Sequence, residues 1–287
     1  MTSWYVFRMP FLTRRLALAT AAAFLLAPPA ARAQATEEVP FITSPDNVTL
    51  EMLRMANVGP GDHVIDLGSG DGRIVITAAR RFGATGLGVE IVPHLVQQSL
   101  RNARDAGVAG RVDFREQDLF KTDLGQATVI TMYLLPEVNL QLRPSLLALK
   151  PGTRLVSHDW DMGDWRPDQT TVVPVPDKKV GLEKSSKIHL WVVPASVEGT
   201  WCAHPALGGG SLQLAQKYQE VDGRVTRRGR VREGTGRLQG NMLHFETRGE
   251  QRWQLEVAGD TLRAAGGNIP AALLGAPVFS RARGASC

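Results

Sequence analysis

Asp66, Gly68, Ser69, Gly70, Asp71 and Gly72 stand within seven consecutive positions, behind the apolar pair Val64-Ile65 and ahead of an apolar-periodic run that opens at Arg73. The order reads as a buried strand, a glycine turn and a helix N-terminus. Glycine suits such a turn because it adopts positive φ and lets a ligand approach bare backbone. The helix start adds unpaired N–H groups and a partial positive charge. That chemistry fits a nucleotide-like ligand, and the spacing narrows the choice. A dinucleotide fingerprint is G-x-G-x-x-G, whereas this chain has G-x-G-x-G with Arg73 where the last glycine belongs. A carboxylate at Asp66, just before the turn, would repel a pyrophosphate and suit an ammonium. S-adenosylmethionine carries such an amino-acid end, and D-x-G-x-G-x-G closing a first strand resembles motif I of class I methyltransferases.

The elements that must position this motif alternate regularly. Ser44-Pro45-Asp46 reads as a helix start with Ser44 as N-cap. Helices are expected over 74–82, 93–106 and 137–149, and strands over 85–91, 111–115, 127–133, 153–157, 171–175 and 188–193. Such alternation argues a mostly parallel sheet with helices on both faces. Ligands bind beyond the carboxyl ends of strands in such sheets, and five strands here deliver polar residues to one edge: Asp66, Glu90, Glu116-Gln117-Asp118, Tyr133 and His158-Asp159-Trp160. Glu90 and Ile91 are placed for the ribose, Asp118 and Leu119 for the adenine. Tyr133, Pro136, Trp160 and Trp165 are candidates for an acceptor pocket, Asp159, Asp161, Asp164 and Asp168 for attracting a cation, and His158 for a base near neutral pH.

Taken together, SPDNVTLEMLRMANV, VIDLGSGDGRIVITAAR, GLGVEIVPHLV and VITMYLLPEVNLQLRPSL resemble the methyltransferase family that includes the lysine methyltransferases of mitochondrial ADP/ATP translocase and ATP-synthase c-subunit. The likeness covers about residues 40–160. It implies a class I, Rossmann-like seven-stranded sheet with S-adenosylmethionine as cofactor and methyl transfer to a lysine amine; by residue type and position at the strand ends, Tyr133, His158 and Asp159 are the catalytic candidates. The chain departs from those members by its leader, its acidic Trp-rich loop and its tail.

Arg8, Arg14 and Arg15 precede an apolar run from Leu16 to Ala27, and Ala31-Arg32-Ala33 ends in A-x-A. Residues 1–33 therefore read as a signal peptide, with Arg14-Arg15 a weak twin-arginine match and Met9 a second possible start. An exported, periplasmic protein is expected, the alternative being an inner-membrane anchor through an uncleaved leader, with membrane contact confined to that leader. The leader holds four arginines and no acid, so the chain beyond it is nearly neutral despite 33 Lys+Arg against 28 Asp+Glu overall. The charge gives no reason to expect nucleic acid as partner. Residues 34–193 form the expected methyltransferase domain. In 194–287, Gly-rich turns separate short alternating runs, which fits a small antiparallel barrel or sandwich. The Arg-rich run from Arg224 to Arg237 reads as a charged edge strand or an acidic-partner surface. The only cysteines, Cys202 and Cys287, form a plausible disulfide in an exported chain, and their spacing suggests no metal site. Three functions compete: a methyltransferase acting on a protein lysine or a small molecule, a non-catalytic envelope protein that binds or senses S-adenosylmethionine, and a nicotinamide-dependent oxidoreductase, which Arg73 disfavours.

Overall fold

The structure is a computed structural model that describes residues 42–287 apart from 180, 250, 285 and 286. The leader expected over 1–33 and the flexible segment 34–40 lie outside the described residues. The first half alternates α1 (Asp46–Met55), β1 (His63–Leu67), α2 (Arg73–Phe82), β2 (Thr85–Glu90), α3 (Pro93–Asp105), β3 (Val112–Glu116), β4 (Val129–Met132), α4 (Pro136–Leu147) and β5 (Arg154–His158), and closes with β6 (Gln169–Pro174) and β7 (Ser185–Val192). The strands form one seven-stranded sheet in the order β3-β2-β1-β4-β5-β7-β6. The pairs among β1 to β5 are parallel, whereas β7 runs antiparallel to both β5 and β6. The chain leaves β1 for β2 on one side and later returns to β4 on the other. Their junction is the topological switch point, where a crevice opens beyond the strand ends.

Burial explains the composition of these strands. Val64, Ile65, Asp66 and Leu67 are all buried, because parallel strands are covered on both faces. Val48, Met52 and Leu53 of α1 and Ile74 and Ala78 of α2 pack with Val64, Val129 and Val156 on one face. Leu142 and Leu146 of α4 pack with Ile65, Ile130 and Leu155 on the other. No helix lies between β5 and β6; that part of the face is sealed by Met162 and Trp165 from the connecting segment, with Trp191 of β7.

Glycines set the closest approaches. A Cβ on Gly88 would sit 2.5 Å from a ring carbon of Phe114 and 2.7 Å from Ser69 Oγ. Gly88→Ala is therefore expected to lower stability by about 1–3 kcal/mol, the usual cost of overpacking a core, and urea unfolding measures it; an unchanged midpoint would show that Phe114 can move aside.

The second half is β8 (Gly199–Ala203), β9 (Ser211–Lys217), β10 (Glu220–Arg227), β11 (Arg230–Gln239), β12 (Met242–Thr247), β13 (Arg252–Ala258), β14 (Thr261–Gly267) and β15 (Pro277–Arg281), a closed antiparallel barrel. Closure leaves no open sheet edge, so the Arg224–Arg237 run does not protect an edge strand: it lies in paired β10 and β11. The barrel is filled by Trp201, Leu212, Leu238, Leu243, Phe245 and Leu255 among others. Cys202 and Cys287 stand with their Cα atoms 5.3 Å apart. No described helix is long and apolar enough to cross a membrane.

The barrel meets the sheet through the β5–β6 segment. Buried Gln219 accepts from Trp165 Nε1 at 2.8 Å and donates to the Arg166 carbonyl at 2.6 Å. Arg237 pairs with Asp168 at 2.6 Å, and Tyr218 donates to Asp164 at 3.0 Å.

Candidate functional site

The glycine turn after β1 is pinned by backbone and by one acid. The N–H groups of Gly68 and Ser69 both donate to the Val89 carbonyl at 2.9 Å. Gly68, Gly70 and Gly72 all have positive φ, at 74°, 55° and 79°. Glu90 accepts from Gly70 N at 3.0 Å with one carboxylate oxygen and from the Ile91 and Val92 N–H groups with the other. The acid expected at the ribose thus also fixes the turn. Asp71 pairs with Arg73 at 2.7 Å, and Arg73 reaches across to the Ser44 carbonyl at 3.0 Å. This tie lays the segment before α1 over the strand ends. Ser44 is therefore not the N-cap of α1: the helix begins after Pro45 without a side-chain cap, and the Ser44 hydroxyl goes instead to His158.

Asp66 is 2 % exposed, and its carboxylate accepts from the Thr131 hydroxyl at 2.7 Å. Thr131 is its register partner on β4. Burial pushes the Asp66 pKa up to about 7, and the nearby Glu90 and Asp71 charges add to this, while the Thr131 hydrogen bond opposes it. A buried carboxyl so poised favours a cation beside it. Asp66 lines a hollow with Ser44, Gly68, Gly70, Arg73 and Tyr133. A Cβ on Gly68 would fall 2.9 Å from the Leu134 side chain, and the Ser69 hydroxyl is buried without a hydrogen-bond partner. Bare backbone, a spare hydroxyl and a carboxylate awaiting a cation suit the amino-acid end of S-adenosylmethionine. Glu90 ends β2 and Ile91 follows it, 68 % exposed, and Gln117 N donates to the Glu90 carbonyl, which brings Asp118 and Leu119 alongside. Asp118 spends one carboxylate oxygen on the Phe120 N–H at 2.9 Å, capping a short helical turn.

Beyond Tyr133 a second cavity of about 430 Å³ opens, lined by Thr43, Tyr133, His158, Lys178 and Ser186 among others. Thr43 and Tyr133 line both hollows. His158, expected as a base, is 1 % exposed and engaged at both ring nitrogens, by Ser44 Oγ and Ser186 Oγ at 2.8 Å each. Burial depresses its pKa to about 4, against the pull of Asp159. It is neutral at physiological pH and stacks on Tyr133 with ring centroids 3.9 Å apart, so its visible work is positioning. Burial first, and then the Asp159 carboxylate, push the Tyr133 hydroxyl up to about 12, which keeps it a neutral donor. Asp159 has a left-handed backbone, φ 62°, and its carboxylate accepts from Lys187 N at 3.0 Å and pairs with Lys178 at 2.8 Å.

The other acceptor candidates go elsewhere. Trp165 is fully buried between Trp191 and Tyr218 in the joint with the barrel and lines neither cavity, a correction forced by the missing helix between β5 and β6. Trp160 is 42 % exposed, and its carbonyl accepts from Asn139. Pro136 opens α4 at its first turn and lines neither cavity. Asp164 is shared by Arg143, Lys217 and Tyr218, Asp168 by Arg237 and Val192 N, and Asp161 accepts from Gly163 N. Except for Asp159, the acids of the loop hold the fold together. Sequence reasoning missed Thr43, Ser44, Thr131, Lys178 and Ser186 as site residues. Thr131 alone carried a signal, as the polar residue in an apolar strand beside Asp66.

The profile of the ANTKMT methyltransferase domain family matches residues 66–169, which run from Asp66 to the start of β6. A protein-lysine N-methyltransferase of Saccharolobus islandicus is 40 % identical over 157 residues, which are 54 % of this chain and 94 % of the archaeal one. The mouse lysine N-methyltransferase of the ATP synthase c-subunit is 35 % identical over 46 % of this chain and 53 % of its own, so this chain spans about half the length of that relative. The crystal structure of an RNA methyltransferase from Salinibacter ruber, in complex with S-adenosyl-L-homocysteine, is 49 % identical over 54 % of this chain and 96 % of that one, with a TM-score of 0.49. With its glycine turn, its buried carboxylate and an archaeal relative matched almost end to end, the chain belongs to the S-adenosylmethionine-dependent methyltransferase family of the ANTKMT type.

Proposed function

We propose that this methyltransferase acts on the side-chain amine of a protein lysine. The observation that carries the reading is the cavity beyond Tyr133, which adjoins the cofactor hollow: it is lined by a neutral phenol, Tyr133, a neutral imidazole, His158, and Lys178, behind which stands the Asp159 carboxylate paired with it. S-adenosylmethionine, when bound, supplies an electrophilic methyl on a sulfonium. Asp66 would hold its ammonium, Glu90 its ribose, and Asp118 with Leu119 its base. On the acceptor side a lysine must first lose a proton, against a free pKa of about 10.4. Desolvation beside the Tyr133 ring favours the neutral amine. As that amine gains its methyl it becomes cationic again, and Asp159 stabilises the charge where it develops. Neither Tyr133 nor His158 is set up to take the proton near pH 7, so it leaves to solvent through the cavity mouth.

The test is to incubate the purified chain with methyl-labelled S-adenosylmethionine and either poly-L-lysine or an extract of the source organism. Label on lysine side chains, located by tandem mass spectrometry, is the expected result. Label only in RNA, only in small molecules, or binding without any transfer would overturn the assignment. We also propose that the chain is exported to the periplasm and that Cys202 and Cys287 are joined there. The arginine-led apolar run, the A-x-A ending and the 5.3 Å Cα separation support this. Recovery of the chain in the cytoplasmic fraction with two free thiols would contradict both statements.

A further inference from the structure

Lys178 belongs to the connection between β6 and β7, and its side chain does not extend into solvent as lysines in such connections usually do. Its ammonium donates to Asp159 at 2.8 Å and to the Ser185 carbonyl at 2.7 Å, with 14 % of its side chain and 15 % of that of Asp159 exposed. The backbone holds it there: Lys178 N donates to the Val175 carbonyl at 3.0 Å, and Lys184 reaches back to the Lys178 carbonyl at 3.1 Å. The cavity that Lys178 lines is also lined by Tyr133, His158 and Ser186, and His158 Nε2 lies 3.5 Å from the Asp159 carboxylate. We propose that Asp159 is the seat for the acceptor's ammonium group and that Lys178 is an internal occupant of that seat, displaced when a lysine from another protein enters. The proposal rests on the lysine reading above and names how the site selects and restrains its substrate.

Three features favour a displaceable pair over one that merely ties the fold. A buried ion pair that only ties a fold together is enclosed on all sides, whereas the Lys178 member of this one lines about 430 Å³ of space. Asp159 takes a left-handed backbone, φ 62°, a conformation that costs energy in a non-glycine residue and clusters at functional sites. Its carboxylate is thereby held on the side where His158 and Lys178 stand rather than outward in water. The pair also matches the expected substrate: Lys178 presents the same ammonium that a target lysine would bring. A target must therefore compete for the carboxylate, which rejects uncharged side chains and slows weakly bound lysines.

The test uses n-butylammonium, the end of a lysine side chain without its backbone. Brief acetylation followed by peptide mass spectrometry gives the reactivity of Lys178 relative to its exposed neighbour Lys179. This ratio is expected to rise several-fold in n-butylammonium chloride over sodium chloride of the same ionic strength; an unchanged ratio overturns the proposal. Two variants give the second readout. K178M removes the competitor and is expected to tighten n-butylammonium binding, followed by NMR, roughly tenfold, or about 1.4 kcal/mol. K178R replaces the point charge by a fork that pairs with a carboxylate at two points and is expected to weaken it. Unfolding of a variant could not tighten binding in one and weaken it in the other, so shifts in the same direction overturn the proposal. Displacement of Lys178 without methyl transfer to poly-L-lysine would remove the lysine reaction and leave the seat; transfer without displacement would do the reverse.

Discussion

Asp66→Asn is expected to weaken S-adenosylmethionine binding by about 3 kcal/mol, roughly 150-fold, while making the folded chain more stable at pH 8. The two effects have opposite signs because the carboxylate is buried for a partner it does not have within the chain. Its folded pKa of about 7 stands well above the ordinary value of 3.8, mainly through burial. A raised carboxyl pKa means that the folded state binds the proton more tightly than the unfolded state. Stability from this group is then present below pH 4 and declines as pH rises toward 7, reaching a penalty of a few kcal/mol. Asparagine keeps the shape and the contact with Thr131 but carries no charge, so the variant loses this slope. Urea unfolding of both proteins at pH 5 and pH 8 measures it, and parallel stability curves would refute the poised state of Asp66. To pair with the cofactor's ammonium, the Asp66 carboxyl would have to give up its proton. Wild-type affinity should therefore fall up to tenfold per unit as pH drops below 7, with proton release visible by calorimetry in buffers of different ionisation enthalpy. Equal affinity of wild type and Asp66→Asn at pH 8 would remove Asp66 from the cofactor site.

Trp165→Ala is expected to destabilise the chain by about 3–5 kcal/mol, the usual cost of emptying a buried aromatic site. The indole is fully buried, donates to Gln219, and packs against Trp191 and Tyr218. Its removal opens a void under the sheet and leaves Gln219, itself 1 % exposed, with an unmatched oxygen, a further cost of about 1–3 kcal/mol. Residue 165 sits where the barrel meets the methyltransferase sheet, so the variant should also separate one cooperative unfolding transition into two. Scanning calorimetry with near-ultraviolet circular dichroism reads both effects. A variant of unchanged stability that binds its acceptor less well would restore Trp165 to the acceptor pocket.

Legibility in the sequence follows the range of the interactions. The glycine turn and Asp66 are legible because φ, backbone access and the strand-to-helix switch are local properties of Val64 to Arg73. Glu90 is legible by its distance along the chain from Asp66, and the antiparallel character of the tail by its short alternating runs. Ser44 misleads for the same reason: Ser-Pro-Asp is a good helix start by local rules, and a hydrogen bond to His158, 114 residues away, outweighs a cap that Pro45 lets the helix do without. Trp165 reads as a pocket residue because aromatics near a strand end often line one, and nothing local tells that the face between β5 and β6 lacks a helix and must be sealed by side chains. The Arg224–Arg237 run looks like an edge because closure of a barrel depends on strands far apart in sequence.

By itself the sequence determined the chemistry of the cofactor end, since the positive φ at Gly68, Gly70 and Gly72 and the acid just before them are set by residue type within one short stretch. It also determined the order of the layers, since hydrophobic period and turn residues act over one element at a time. Only the tertiary structure decided which polar groups are free. It buried and neutralised His158, spent Asp164 and Asp168 on the barrel, and left Asp159 paired with Lys178 at the wall of a cavity. The cost of burying a charge and the gain from pairing it depend on every neighbour that reaches the spot, and those neighbours are set by packing between segments a hundred residues apart.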